Sequence, residues 1–146
     1  MRLERGRCEK LVSAAGRGVL ATVHPVRGAD AVPACFVVDD NQVAVPVDRI
    51  KAKASVDLQR ITNLEHDGRA TLLCDHWDAR DWSRLWWVRV SMEYTAVAGV
   101  RQAQLESLLA SKYPQYEDAD FASLLVFRVV EMTGWSAGEH PGPEGH

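Results

Sequence analysis

The sequence predicts an α+β domain whose main element is an antiparallel β-barrel with helices packed outside it. Three strand candidates follow one another between residues 18 and 47, with only short turns between them. A parallel pair needs a long crossover, so these short links favour antiparallel pairing. Three more strand candidates and three separate helical segments complete a pattern that is typical of a closed barrel.

Three segments have the apolar spacing of amphipathic helices, at 4–15, 56–66 and 101–113. The first is followed by Gly16 and Gly18, which end a helix readily. The second is closed by Asp67-Gly68, and the third is stopped by Pro114. The expected order is helix, three strands, helix, two strands, helix and strand.

The six strand candidates are rich in β-branched and aromatic residues and lie at 18–24, 31–38, 42–47, 69–75, 85–97 and 121–131. Asp39-Asp40-Asn41 predicts a tight hairpin turn between the second and the third. Pro33 cannot donate a ladder hydrogen bond, so it is expected at a sheet edge or a bulge.

The size and charge of the chain bound its function. At 146 residues and 16.2 kDa we expect one domain at 1–137, followed by a Gly- and Pro-rich tail at 138–146 that is expected to be disordered. A net charge of −3 argues against general binding to nucleic acid or anionic membranes. Three distant cysteines argue against a disulfide framework, and no signal or membrane-spanning segment is visible, so a cytoplasmic location is expected.

A compact basic turn follows the third strand candidate. Lys51, Lys53 and Ser55 lie two residues apart, and Arg60 follows within the next helical turns. Together with the N–H groups of a helix N-terminus, they would suit a phosphate-bearing ligand. The alternative is that the two lysines are solvated residues between a strand and a helix, and the local pattern favours neither.

Four of the five tryptophans lie within eleven positions, at Trp77, Trp82, Trp86 and Trp87. The last two alternate in a strand, so one should face the core and the other should face outward. Trp77 and Trp82 fall in a polar loop, where large aromatic side chains are costly to expose. They are expected either at a subunit contact or against a flat ligand.

The sequence shows no recognisable catalytic or metal-binding motif. No serine lies in an elbow motif, and the histidines lack metal-ligand spacing. His24 reads as a surface residue at a strand end. The phosphate-binding glycine patterns of Rossmann and Walker sites are also missing, so any difficult chemistry would belong to a bound cofactor.

Several stretches in order resemble the flavin/deazaflavin oxidoreductase superfamily, which includes pyridoxamine 5′-phosphate oxidase-like proteins. They are Gly18-Val-Leu-Ala-Thr22, Val32-Pro33, Phe36-Val-Val-Asp39, Lys51-Ala-Lys53, Leu58-Gln-Arg60-Ile-Thr-Asn63-Leu64 and Arg69-Ala-Thr-Leu-Leu-Cys-Asp75. The stretch Asp81-Trp82-Ser-Arg-Leu85-Trp86-Trp87-Val-Arg-Val90 is similar to a coenzyme F420-dependent subgroup found mainly in actinobacteria. The resemblance spans residues 11–135.

The resemblance implies a split β-barrel of the FMN-binding type, assembled as a homodimer with cofactor sites at the subunit interface. Lys51, Lys53 and Ser55 would hold the cofactor phosphate, with Arg60 nearby. The third strand, at 44–47, would flank one edge of the cofactor ring. The ring would lie against the backbone of Val32, Pro33, Ala34 and Cys35, and the partner's loop with Trp77, Asp78 and Trp82 would close over it.

The sequence differs from the family pattern at two places. Ser91-Met92-Glu93 stands where a small residue such as glycine is expected in a strand bend. The chain also ends in Gly134-Trp135-Ser136 and a polar tail, without the arginines that bind substrate phosphate in pyridoxamine-phosphate oxidases, so that reaction is not expected.

The expected function is hydride transfer between coenzyme F420 and a conjugated small molecule, with reduction of the substrate favoured. One alternative is an FMN-dependent reductase or oxidase of the same fold. Another is a carrier that binds the deazaflavin and catalyses nothing, because no catalytic acid or base is visible. No metal, nucleic acid or membrane partner is expected.

Overall fold

The computed structural model describes residues 1–47, 54–116 and 123–138; for residues 54–58 and 123 it describes the backbone alone. The α-helices are α1 (Arg5–Ala14), α2 (Ala54–His66) and α3 (Gly99–Lys112). The strands are β1 (Gly18–His24), β2 (Gly28–Ala34), β3 (Val37–Asp39), β4 (Gln42–Val47), β5 (Arg69–His76), β6 (Trp86–Thr95) and β7 (Ser123–Ser136). The predicted phosphate lysines at 51 and 53 and the tail beyond Gly138 lie outside the described residues.

All seven strands form one antiparallel sheet in the order β2-β1-β5-β6-β7-β4-β3. The two edge strands, β2 and β3, are consecutive in the chain and are joined by only Cys35 and Phe36. Ala34 and Val37 are three residues apart and can lie at most about 11 Å from each other, so the sheet has to curl until its edges come close. The predicted α+β class and antiparallel barrel are therefore confirmed.

The predicted strand at 31–38 is in fact two strands, which makes seven strands among the described residues where six were expected. Its first part, β2, pairs with β1 up to Ala34, and its second part, β3, pairs with β4 from Val37 onward. The chain bends between them because each part follows a different neighbour. Pro33 lies exposed on edge strand β2, as its missing N–H predicted.

Two local irregularities shape the sheet. Asp40 and Asn41 have φ angles of 48° and 61°, which give the primed hairpin turn that the sequence predicted between β3 and β4. The register between β6 and β7 shifts at Ser91/Met92, where Val130 is an extra residue in β7. The bulge therefore falls where the sequence departs from the family pattern.

The main core fills the inside of the curled sheet and includes the fully buried Leu20, Leu72, Val88, Val90 and Phe127. Helix α3 packs on the opposite face of β3, β4 and β7. Its buried Leu105 and Leu109 contact a second cluster with Val37, Ala44 and Val126. Among the described residues, no helix combines the length and apolar character needed to cross a bilayer.

Candidate functional site

The sheet is incomplete at one place, which we call the split: the junction Cys35–Phe36 together with the ends of β2 and β4 beside it. The ladder between β1 and β2 ends at the pair Gly18–Ala34, and the ladder between β3 and β4 ends at Val37–Ala44. In the described part of the chain, residues 45–47 of β4 therefore pair with β7 on one side only. The split is an opening between two strand edges that the chain itself keeps close together.

Both segments predicted to lie against a cofactor ring are found at the split. On β2 and just after it, Val32 and Cys35 are half-buried, Pro33 is exposed and Ala34 is buried. On β4, residues 44–47 are buried. The β2 side thus offers backbone and small side chains to a ligand, which suits close approach by a flat ring.

The predicted phosphate site is described only in part. Helix α2 begins at Ala54, directly after the basic turn, so its N-terminal N–H groups lie beside the segment that carries the lysines. Ser55 falls in the first turn of this helix, and its side chain lies outside the described residues. Arg60 is only 9% exposed, which places a buried positive charge on the same helix.

Helix α2 is fixed to β1 and β2 by a buried amide. Asn63 is fully buried and donates through Nδ2 to Thr22 Oγ1 and to Asp30 Oδ2, both at 2.9 Å. Its Oδ1 accepts a hydrogen bond of 2.8 Å from Gln59 Nε2. The hydrogen bond from Asn63, followed by that from Arg27, lowers the pKa of Asp30. These contacts fix helix α2 relative to β1 and β2.

The tryptophan loop leaves two indoles in solvent. Trp77 and Trp82 are 59% and 66% exposed. Asp81 caps the short helical turn Trp82–Arg84 by accepting from Ser83 N at 3.1 Å, and the Ser83 hydrogen bonds lower the pKa of Asp81. Nearby, Asp78 Oδ1 accepts from Arg80 N at 2.9 Å. In the described part of a single chain, most of the surface of both indoles is exposed to solvent.

The outer face of the sheet carries several partly exposed apolar side chains. Val19, Leu73 and Trp135 on this face are 37%, 39% and 37% exposed. Trp87 also points outward while Trp86 is buried, so the predicted alternation is confirmed. An open groove of about 450 Å³ lies on the same face, over β1, β5 and β6. None of the predicted cofactor residues whose side chains the structure describes lines this groove, so the groove is separate from the split.

Lys112 and Tyr113, at the C-terminal end of α3, also contact the split, and sequence reasoning gave neither of them a function. Lys112 Nζ lies 3.0 Å from the carbonyl oxygen of Phe36, and Tyr113 Oη lies 3.1 Å from its amide nitrogen. Burial lowers the pKa of Lys112 to about 8 and raises the pKa of Tyr113 to about 12. Burial likewise raises the pKa of the Cys74 thiol to about 12. No local pattern reveals these contacts, since they join residues 76 and 77 positions apart.

The histidines and carboxylates form no metal centre in the part of the chain that the structure describes. His24 has a structural contact instead. Its Nδ1 accepts hydrogen bonds of 3.0 Å from the backbone of Val26 and Arg27, closing the turn between β1 and β2. The expectation that His24 is a surface residue rather than a base agrees with this geometry.

Comparison with known proteins identifies the fold. No model of a known protein family matches the chain, and neither does any curated protein sequence. Solved structures do match. A FAD-binding protein from Mesorhizobium loti is 17% identical with a TM-score of 0.62, and the match covers 92% of this chain and 95% of that one. A Corynebacterium glutamicum protein that carries the provisional name pyridoxamine 5′-phosphate oxidase is 14% identical with a TM-score of 0.56, covering 92% and 90%.

A third matching structure is that of a protein named for storage of haem. The haem storage protein HutZ of Vibrio cholerae is 15% identical with a TM-score of 0.65, and the match covers the whole of both chains. At such low identities the likeness shows the fold alone. The chain therefore has the split-barrel fold of pyridoxamine 5′-phosphate oxidase-like proteins, as the sequence resemblance implied, and the choice of ligand has to be argued from the site.

Proposed function

We propose that the chain is an oxidoreductase that binds coenzyme F420 at the split and passes a hydride between this deazaflavin and a conjugated small molecule. The observation that carries the proposal is the split itself. Its two ladders stop at Ala34 on β2 and at the pair Val37–Ala44 between β3 and β4, and α2 follows β4 in the chain after a basic segment. A flat ring with a phosphate tail has the shape and charge that such a place accommodates.

The residues present fit such a cofactor. Its ring would lie against Val32, Pro33, Ala34 and Cys35, of which Pro33 is exposed and Val32 and Cys35 are half-buried. Its phosphate would be held by Lys51, Lys53 and Ser55 at the start of α2, with the buried Arg60 adding positive charge. The acidic tail of coenzyme F420 suits a basic groove that runs past these residues.

A second copy of the chain would complete the site. In one chain Trp77 and Trp82 are exposed, and the outer sheet face shows Val19, Leu73 and Trp135 to solvent. Exposed apolar surface of this kind marks an interaction site. In the proposed homodimer these faces are covered, and the partner's loop with Trp77, Asp78 and Trp82 closes over the ring.

The chain's own contribution to the reaction would be positioning and the exclusion of water. When bound, coenzyme F420 supplies the hydride chemistry, and an electron-poor substrate such as an enone, a quinone or a tetrapyrrole would stack on its ring. Among the described residues, no side chain carries a geometric argument for donating a proton to such a substrate. We therefore assign no catalytic residue.

Two alternatives use the same site. FMN would occupy the split with its single phosphate at the basic turn and would need no groove for an acidic tail; the FAD-binding relative makes a flavin a reasonable competitor. A carrier protein would bind the deazaflavin without turnover, and the haem storage protein of the same fold shows that a split barrel need not be an enzyme.

A binding titration tests the proposal. Purified protein is titrated with coenzyme F420 and separately with FMN, with tryptophan fluorescence as the readout. The proposal predicts quenching by coenzyme F420 at lower concentration than by FMN, followed by oxidation of the reduced coenzyme when quinones or enones are added. Preference for FMN would favour the flavin alternative, and binding without turnover would favour the carrier. Binding of neither would refute all three.

A further inference from the structure

Phe36, in the middle of the split, has its backbone polar groups satisfied by side chains. The residue is fully buried, so its N–H and C=O both need partners. The N–H donates to Tyr113 Oη at 3.1 Å, and the C=O accepts from Lys112 Nζ at 3.0 Å. Within the ladders such groups are paired by neighbouring strands, and here the last residue of α3 and the residue after it take over.

The two side chains divide the contacts between them. Tyr113 Oη lies 2.9 Å from the carbonyl oxygen of Gly16 and 3.1 Å from that of Phe36, and a hydroxyl has one proton to donate. Because Lys112 already donates to the Phe36 carbonyl, the Tyr113 proton is available for Gly16. The hydroxyl thus links Phe36 to the segment that leads into β1.

Packing explains why these side chains reach the split. Leu105 and Leu109 bury the face of α3 against β3 and β4, which carries the end of the helix to Phe36. The Lys112 ammonium also lies over the Phe36 ring, 4.0 Å from its centroid. A cation above an aromatic face adds an attraction that a neutral side chain lacks.

We propose that Lys112 and Tyr113 are positioning residues that replace the missing strand pairing at Phe36 and thereby fix the segment Val32–Cys35 against which the cofactor ring would lie. That the cofactor ring lies against Val32–Cys35 rests on the proposed function. That Lys112 and Tyr113 hold the Phe36 backbone, which is the structural part of the proposal, does not. Neither side chain is placed against the cofactor itself. Their effect on binding would be exerted through the Phe36 backbone.

Two measurements on the full chain separate these parts. Amide hydrogen exchange at Phe36 reports on the split without any cofactor, and titration with coenzyme F420 reports on binding. The variants are Tyr113→Phe, which removes the acceptor of the Phe36 N–H, and Lys112→Met, which removes the charge and keeps the length. Lys112→Arg keeps a charged donor and serves as the rescue variant.

Arg101→Met is the matched control on the same helix. Arg101 also joins α3 to β3, through hydrogen bonds of 2.8 Å to Asp39 Oδ2 and 2.7 Å to Gln42 Oε1, but at the end of β3 away from the split. We expect it to lower overall stability without a specific change in the exchange of the Phe36 amide.

In Tyr113→Phe we expect amide exchange at Phe36 to become about tenfold faster. In both Tyr113→Phe and Lys112→Met we expect the affinity for coenzyme F420 to fall by about five- to tenfold, which is the scale of one lost hydrogen bond. Lys112→Arg should recover most of the affinity. Wild-type exchange at Phe36 in Tyr113→Phe would overturn the structural part. Faster exchange at Phe36 with unchanged coenzyme affinity would overturn the positioning role of the two residues. An equal loss of affinity in Arg101→Met would overturn it as well. If the wild type binds neither coenzyme F420 nor FMN, the proposed function fails. Exchange at Phe36 alone then decides whether Lys112 and Tyr113 hold the split.

Discussion

The two sides of the barrel are held together by different means. On the side formed by β1, β5, β6 and β7, every neighbouring pair of strands shares a long antiparallel ladder over a core of fully buried aliphatic residues. At the split, the ladders end at Ala34 and Val37, and the side chains of Lys112 and Tyr113 satisfy the backbone between them. The closed side is held by strand ladders and a packed core, whereas the split is held by side chains that bind the backbone.

The largest effect should come from damage to the closed side. Leu72 is fully buried in the main core, so Leu72→Ala should lower the free energy of unfolding by about 2–5 kcal/mol because it leaves a cavity. Urea unfolding measures this loss. Leu108→Ala, at a leucine that is 36% exposed on α3, is the matched control and should cost much less. Equal costs would mean that the closed side does not carry the stability.

A charge change at the basic turn should affect binding rather than folding. If Lys53 holds the cofactor phosphate, Lys53→Ala should weaken coenzyme binding by about 1–3 kcal/mol, the scale of a lost charge-assisted contact. Fluorescence titration of variant and wild type gives the difference, and the urea midpoint should stay the same. Lys10→Ala removes a lysine from α1 and should leave affinity unaltered. Unchanged affinity in Lys53→Ala would refute the phosphate assignment.

The tryptophan loop distinguishes ring closure from dimer packing. Trp77→Ser and Trp82→Ser should each weaken coenzyme binding at protein concentrations where the dimer is intact, because the proposed partner loop covers the ring. Sedimentation measured alongside gives the dimer dissociation constant. If only that constant changes while affinity per dimer is retained, the indoles are interface residues and do not touch the cofactor.

The smallest expected effect is a change of stability with pH at the split. Burial lowers the pKa of Lys112 from 10.5 to about 8, so between these values the unfolded chain binds more protons than the folded one. The stability of the wild type should therefore rise with pH from 8 upward when it is measured relative to Lys112→Met.

Two other groups near position 112 titrate in both the wild type and Lys112→Met. The Cys74 thiol and the Tyr113 hydroxyl have raised pKa values and act in the opposite direction at higher pH, so pH 8–9 is the informative window. Urea unfolding at several pH values checks the prediction. A difference that is flat or falls with pH would contradict a lowered pKa of Lys112 in the folded chain.

The sequence predicted those parts of the fold that depend on local patterns. The turn Asp40-Asn41 follows from residues that tolerate positive φ, and the alternation of Trp86 and Trp87 follows from the two-residue period of a strand. The sequence does not predict the break after Ala34, because 31–38 is one apolar run without a Gly, Asn or Asp turn signal. Only the pairing of each half with a different neighbour bends it, and that pairing is a property of the whole sheet.

The candidate site was predictable to a similar extent. The segment Val32–Cys35 was identified through resemblance to a family, and the structure places it at the split. Lys112 and Tyr113 could not be identified, because a lysine and a tyrosine at a helix end carry no signal of a contact with a backbone more than seventy residues away. Asn63 lies in the stretch Leu58–Leu64 that resembles the family. Its hydrogen bonds to β1 and β2 could not be predicted, because they depend on how α2 packs on the sheet.

The most direct test of the account is to map where coenzyme F420 binds. Backbone amide chemical shifts of the labelled protein are recorded with and without the coenzyme. The account predicts the largest changes at Val32, at residues 34–36 and at residues 45 and 47, on the two edges of the split. Changes confined to Thr71 and Ser91, which line the groove on the outer sheet face, would contradict it.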